Sequence, residues 1–115
     1  MAMTSANNLY SDIPPEFKEE LFETILKRET FKIERIVSHG HCSPARFWYD
    51  QDENEWVILL KGSAVLRFED QAENITMSPG EYIHIEKHQR HRVVWTDSEQ
   101  DTIWLAVHYS GGIEE

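Results

Sequence analysis

Cysteine occurs once, at Cys42, so no disulfide can form within the chain and no CxxC pair exists for zinc or redox chemistry. Nothing around Cys42 marks an activated nucleophile, and a small packing side chain is the simpler reading. No apolar run approaches the roughly 20 residues that a membrane-spanning helix needs. The opening MAMTSANNLYSDIPPE lacks the basic-then-apolar layout of a secretion signal. Basic residues are few: 11 Lys and Arg stand against 21 Asp and Glu, a formal net charge of −10. Such a balance repels phosphate backbones and anionic lipid surfaces, so neither nucleic acid nor membrane is expected as a partner. A local basic group at Lys87, Arg90 and Arg92 is interleaved with Glu81 and Glu86. No phosphate loop, cofactor fingerprint or nucleophile–base pairing appears. These absences predict a soluble, cytoplasmic protein.

Aromatic residues, by contrast, are plentiful. Four Trp, four Tyr and five Phe in 115 residues supply a core for one domain and argue against wholesale disorder. Residues 1–11 are polar and read as a loose arm. Over residues 12–30 the pattern predicts a short amphipathic α-helix. Pro14 and Pro15 suit its entry, Glu16, Glu19 and Glu20 its positive end, and Phe17, Leu21 and Ile25 recur at helical spacing before Lys27 and Arg28.

From Phe31 onward the period shortens to two. Segments around 31–37, 46–50, 55–60, 64–68, 75–77, 82–85, 92–95 and 102–109 read as strands, with Lys61-Gly62-Ser63 as a tight hairpin turn and 111–115 as a tail. Seven or eight short strands with turns between them predict an all-β sandwich or barrel over residues 31–110.

Glu55 shares its parity with Val57 and Leu59, so a regular strand turns a carboxylate to the same face as two core formers. A carboxylate there is costly unless it pairs, protonates or binds a cation. His91 shares parity with Val93 and Trp95 on a later strand. The pair either converges inside the barrel to hold a metal, or Glu55 lies at a strand mouth, solvated or paired with Arg46 or Arg92.

At these residues the chain resembles the cupin family. Gln51 through Gly62, with six residues between Glu55 and Gly62, is similar to the second half of the first cupin motif. Ser78-Pro79-Gly80-Glu81 through His91-Arg92-Val93 is similar to the second. The resemblance implies a jelly-roll barrel (a double-stranded β-helix), here behind a short N-terminal helix, whose cavity often holds Fe, Mn, Ni or Zn. It implies that Glu55 and His91 occupy two of the family's four ligand positions. The other two fall at Tyr49 and Gln51, where the family has His-x-His. Neutral Tyr and Gln are weaker ligands than imidazole.

His39 and His41 form a His-x-His too far upstream for the family spacing and read as loop residues. His84 and His108 face either a cavity or the packing between sheets. Tyr49 and Trp95 share parity with the motif residues and are the better cavity aromatics; Trp48, Trp56 and Trp104 read as core or interface. Tyr49 and His84 are the candidate proton donors. Three functions follow as expectations: a metal-dependent enzyme acting on a small polar metabolite, a non-catalytic small-ligand binder, or an assembly barrel without metal. A homodimer is expected, because short barrels leave strand edges that need covering.

Overall fold

Alternation of apolar and polar residues with a period of two dominates the chain after residue 30, and the structure, a computed structural model describing residues 4–111, turns that alternation into two antiparallel sheets. The strands are β1 (Leu21–Lys27), β2 (Phe31–Ser38), β3 (Asn54–Lys61), β4 (Ala64–Phe68), β5 (Ile75–Met77), β6 (Tyr82–Ile85), β7 (His91–Thr96) and β8 (Thr102–Tyr109). Five of them form one sheet in the order β1-β2-β8-β3-β6, and three form the other in the order β5-β4-β7. The inward faces meet in a core of Val57, Leu59, Leu66, Phe68, Met77 and Trp104, filled in by small Ala64 and Ala106.

The helix expected over residues 12–30 is absent. Residues 12–20 are irregular, and β1 follows, pairing with β2 from Leu21 opposite Val37 to Lys27 opposite Lys32. Without β1, the whole β2 edge would present unpaired N–H and C=O groups. A helix draws most of its stability from tertiary packing, and this segment yields instead to strand pairing. Phe17, expected on the helix's apolar face, instead stacks on the His41 ring at 5.3 Å. Behind β1, buried Arg35 donates from Nε to Glu23 Oε1 at 2.6 Å and from Nη1 to the carbonyls of Leu9 and Ser11 at 2.9 and 2.6 Å. That guanidinium fastens part of the expected loose arm to the sheet. Residues 1–3 of that arm and 112–115 of the expected tail lie outside the described residues.

Two further expectations are corrected. Lys61-Gly62-Ser63 is not a hairpin turn: β3 pairs with β6 and β8, whereas β4 pairs with β5 and β7, so the three residues carry the chain from one sheet to the other. Gly62 takes φ +88° at that corner, with Thr102 so close that a Cβ would stand 2.7 Å from its Cα. The strand expected at 46–50 shrinks to one bridge, Tyr49 opposite His91.

Candidate metal and ligand cavity

The cavity lies between the sheets, lined from the five-stranded side by Glu34 of β2, Glu55 of β3 and His108 of β8, and from the other side by His91 of β7. In register, Glu55 stands opposite His108 on one flank and Ile85 on the other. Glu34 is one diagonal step away, since Lys32 is the residue opposite His108. Three neighbouring strands thus set carboxylate, imidazole and carboxylate in a row on one face.

His91 is held from several directions. Tyr49 and His91 exchange backbone hydrogen bonds, Tyr49 N to His91 O at 2.7 Å and His91 N to Tyr49 O at 3.2 Å. The imidazole lies between two rings, Tyr49 stacked at 5.4 Å and Phe68 tilted at 5.7 Å. Its Nδ1 donates to the Gln89 carbonyl at 2.9 Å, which leaves the lone pair on Nε2. Burial holds the ring's pKa below its ordinary value, with the Gln89 bond opposing, so at neutral pH the ring is uncharged.

Glu55 is 6% exposed and accepts no hydrogen bond from any side chain among the described residues. Burial raises its pKa, the charges of His108 and Lys32 pull it down, and Glu34 pushes it up. Arg46 and Arg92 do not pair with it; Arg92 lies over the Trp48 ring at 5.9 Å instead. Glu34 meets His108 Nε2 at 3.2 Å and Lys32 Nζ at 3.5 Å. Burial works against the Glu34 carboxylate, but the hydrogen bond from His108 and the Lys32 charge prevail and leave its pKa lowered. The same hydrogen bond is the main reason that the His108 pKa is raised, against desolvation and with help from both carboxylates.

All four residues at the expected ligand positions, Tyr49, Gln51, Glu55 and His91, line this cavity. Burial, with the charges of Glu20, Glu55 and Glu34, pushes the Tyr49 phenol up to about 12, so it stays protonated and serves as a hydrogen-bond donor. Gln51 Oε1 is buried with no partner. Other candidates fall elsewhere. His84 pairs in register with Trp56, on the opposite face from Glu55, and its Nε2 meets the Tyr109 hydroxyl outside the cavity. Trp95 is 45% exposed, because the β4–β7 pairing skips Val94 and the extra residue reverses the parity beyond Val93. His41 accepts from His39 N at Nδ1 and donates from Nε2 to the Lys18 carbonyl, while His39 pairs with Asp101. Cys42 is exposed.

Several cavity residues were not read as such from the sequence. Glu20 precedes β1 and accepts from Ser38 Oγ at 2.7 Å; Phe22 falls on the flank of the expected helix; Glu34 was not singled out; Trp104, expected in core or interface, combines core packing with cavity lining. Parity on β2 was the usable clue: Glu34 shares its face with Ile36.

Residues 34–108 match the family model described as Cupin domain. The chain is a cupin. A search of curated proteins found no match. Among solved structures, this cupin is 42% identical to a Ralstonia eutropha JMP134 protein provisionally described as a mannose-6-phosphate isomerase, with a TM-score of 0.90 over 94% of this chain and 100% of that one. It is 16% identical to a cupin superfamily protein of Desulfitobacterium hafniense (TM-score 0.69, 86% of this chain and 84% of that one). It is 19% identical to an RmlC-like cupin of Methanocaldococcus jannaschii with a double-stranded β-helix fold (TM-score 0.65, 85% and 86%). The last two establish the fold alone. The family often binds divalent metals. Among the described residues, no three His, Cys, Asp or Glu side chains converge as a full cage. The donors present nonetheless fit an ion: one carboxylate, one imidazole with its lone pair free, and one buried amide oxygen lacking a partner, all on one cavity. No helix among the described residues is long and apolar enough to cross a membrane.

Proposed function

We propose that this cupin binds a small polar metabolite in the cavity, with a divalent metal (Fe, Mn, Ni or Zn) held by Glu55, His91 and Gln51. One observation carries the reading: three acceptors without donors, on Glu55, His91 and Gln51, line the same cavity, and a cation held among them would give each a partner. Tyr49 stands beside them as a donor, aligning the His91 ring by stacking and offering a hydroxyl to the ligand. When bound, the metal supplies a Lewis acid for a carbonyl or hydroxyl oxygen. Glu34 and His108 form a hydrogen-bonded pair on the cavity wall, with His108 donating, within the row that includes Glu55.

The experiment is elemental analysis of protein purified without chelator or a metal-binding tag. Near-stoichiometric Fe, Mn, Ni or Zn that disappears in Glu55→Ala and His91→Ala is the expected result. Metal-free protein whose thermal stability ignores added divalent ions would leave a ligand-binding or assembly cupin without metal. The likeness to the Ralstonia protein favours isomerisation of a sugar as the reaction, with Tyr49 and the Glu34–His108 pair as the proton-handling groups. An assay for aldose–ketose interconversion tests that second reading, and inactivity of metal-loaded protein on all sugars offered would reject it.

The chain is further read as a homodimer. β1 ends the five-stranded sheet and leaves Phe22, Ile25 and Leu26 at 52, 51 and 37% exposure beside an unpaired backbone edge. Light scattering that gives a monomer mass at micromolar concentration would refute this.

A further inference from the structure

The cavity wall has a sign. Glu20, Glu34 and Glu55 all line it, and neither lysine nor arginine does. The basic side chains around it lie off the lining: Arg35 is bound to Glu23 and the arm carbonyls, Arg90 to Glu69, and Arg92 sits over Trp48 with Nη2 on the Ser43 carbonyl and its buried Nε without a partner. The cavity opens to a wider mouth through Glu34, Gln51 and His108, which line both. At that mouth Lys32 is already paired with Glu34, and His88 meets Asp50 at 2.8 Å, with Asp52 and Glu53 adding two further carboxylates. A phosphate-bearing ligand would have to pass this rim and then sit among carboxylates with no free guanidinium or ammonium to receive it.

The wall also has a hydrogen-bonding character. Carboxylates and the Gln51 oxygen make it rich in acceptors, and a ligand that complements it must bring donors. The rest of the lining is apolar, with Phe22, Tyr49 and Trp104 offering aromatic surface to a carbon skeleton. Hydroxyls on a compact carbon frame meet both demands. With His108 set against Glu34, a divalent ion beside Glu55 carries one charge more than that carboxylate, and Glu20 is the wall group that offsets it.

We propose that the cavity selects uncharged polyhydroxylated ligands, monosaccharides or polyols, and rejects their phosphate esters through the wall formed by Glu20, Glu34 and Glu55. This rests on the cavity being the ligand site, and it separates this chain from the phosphosugar substrate in the description of its Ralstonia relative.

The test is calorimetric titration of the purified protein, its metal content measured on the same sample, with mannose, fructose and sorbitol, each against its 6-phosphate. The expected result is saturable binding of at least one neutral compound, with its ester about tenfold or more weaker. Glu34→Gln, which removes one carboxylate from the wall, narrows that gap. An ester that binds as tightly as its parent, or failure of every neutral compound to bind, overturns the proposal. The two readings fail separately: metal-free protein that still prefers the neutral compound removes the metal, whereas metal-loaded protein that prefers the ester removes the selectivity.

Discussion

Replacing Gly62 by alanine tests the corner that lets one chain build both walls of the cavity. The residue adopts φ +88°, a conformation that costs an L-residue about 1–2 kcal/mol. An added Cβ would also lie 2.4 Å from Thr102 Oγ1, 2.7 Å from Thr102 Cα and 2.8 Å from the Asp101 carbonyl oxygen. The hydroxyl can rotate away, but the other two atoms are backbone, and moving them displaces the start of β8, the strand that carries Trp104 and His108. Overpacking of this kind adds about 1–3 kcal/mol, so Gly62→Ala is expected to lose about 2–5 kcal/mol in all. Gly80 provides the control. It has φ +94° and nothing within 4 Å of its would-be Cβ, so Gly80→Ala meets only the conformational cost. Urea unfolding followed by tryptophan fluorescence measures both. A Gly62→Ala loss no larger than that of Gly80→Ala would show that the close approach of the corner to β8 carries no energy.

Glu55→Gln is expected to leave chelator-treated protein more stable than wild type at pH 7, because it removes a buried carboxylate that no hydrogen bond supports, while metal uptake is lost; paired thermal melts and elemental analysis check both halves. For the Glu34–His108 pair the pH dependence has two limits. The raised His108 pKa gives stability that is full below the unfolded value near 6.5 and lost as pH rises through the folded value. The lowered Glu34 pKa gives stability that is present above about 4.5 and lost as pH falls through its folded value. Wild type should therefore exceed His108→Gln most between about pH 4.5 and 6.5, and a stability difference that is flat from pH 3 to 9 would contradict the pairing. Trp104→Ala removes a side chain only 4% exposed that is shared by core and cavity, and should cost about 3–5 kcal/mol by chemical denaturation.

Much of the architecture was legible because strand periodicity is a local property. Most of β3 and β4 reports its face by alternation, and the Ser78-Pro79-Gly80-Glu81 turn and Gly62 break the pattern at visible places. Glu55 and His91 were legible for the same reason, each standing out as a polar residue on a core parity, and the structure brings both to one cavity. Local reasoning failed where a neighbour decided the outcome. Residues 12–30 carry spacings compatible with a helix, yet the open edge of β2 draws Leu21–Lys27 into a strand. Trp95 lost its inward position to one extra residue in β7, a slip that depends on how β4 pairs with it.

The sequence by itself pointed to an all-β barrel over residues 31–110 and marked Glu55 and His91 as polar residues on core parities, because face and period are written residue by residue. Only the tertiary structure decided what surrounds them. Glu34 and His108 are 74 positions apart and meet because β2 and β8 are adjacent in the sheet; Glu20 arrives from an irregular segment; and Gln51 Oε1 is left without a partner by packing that no short-range pattern encodes. The sign of the cavity wall therefore belongs to strand order, which sums contributions from distant segments of the chain.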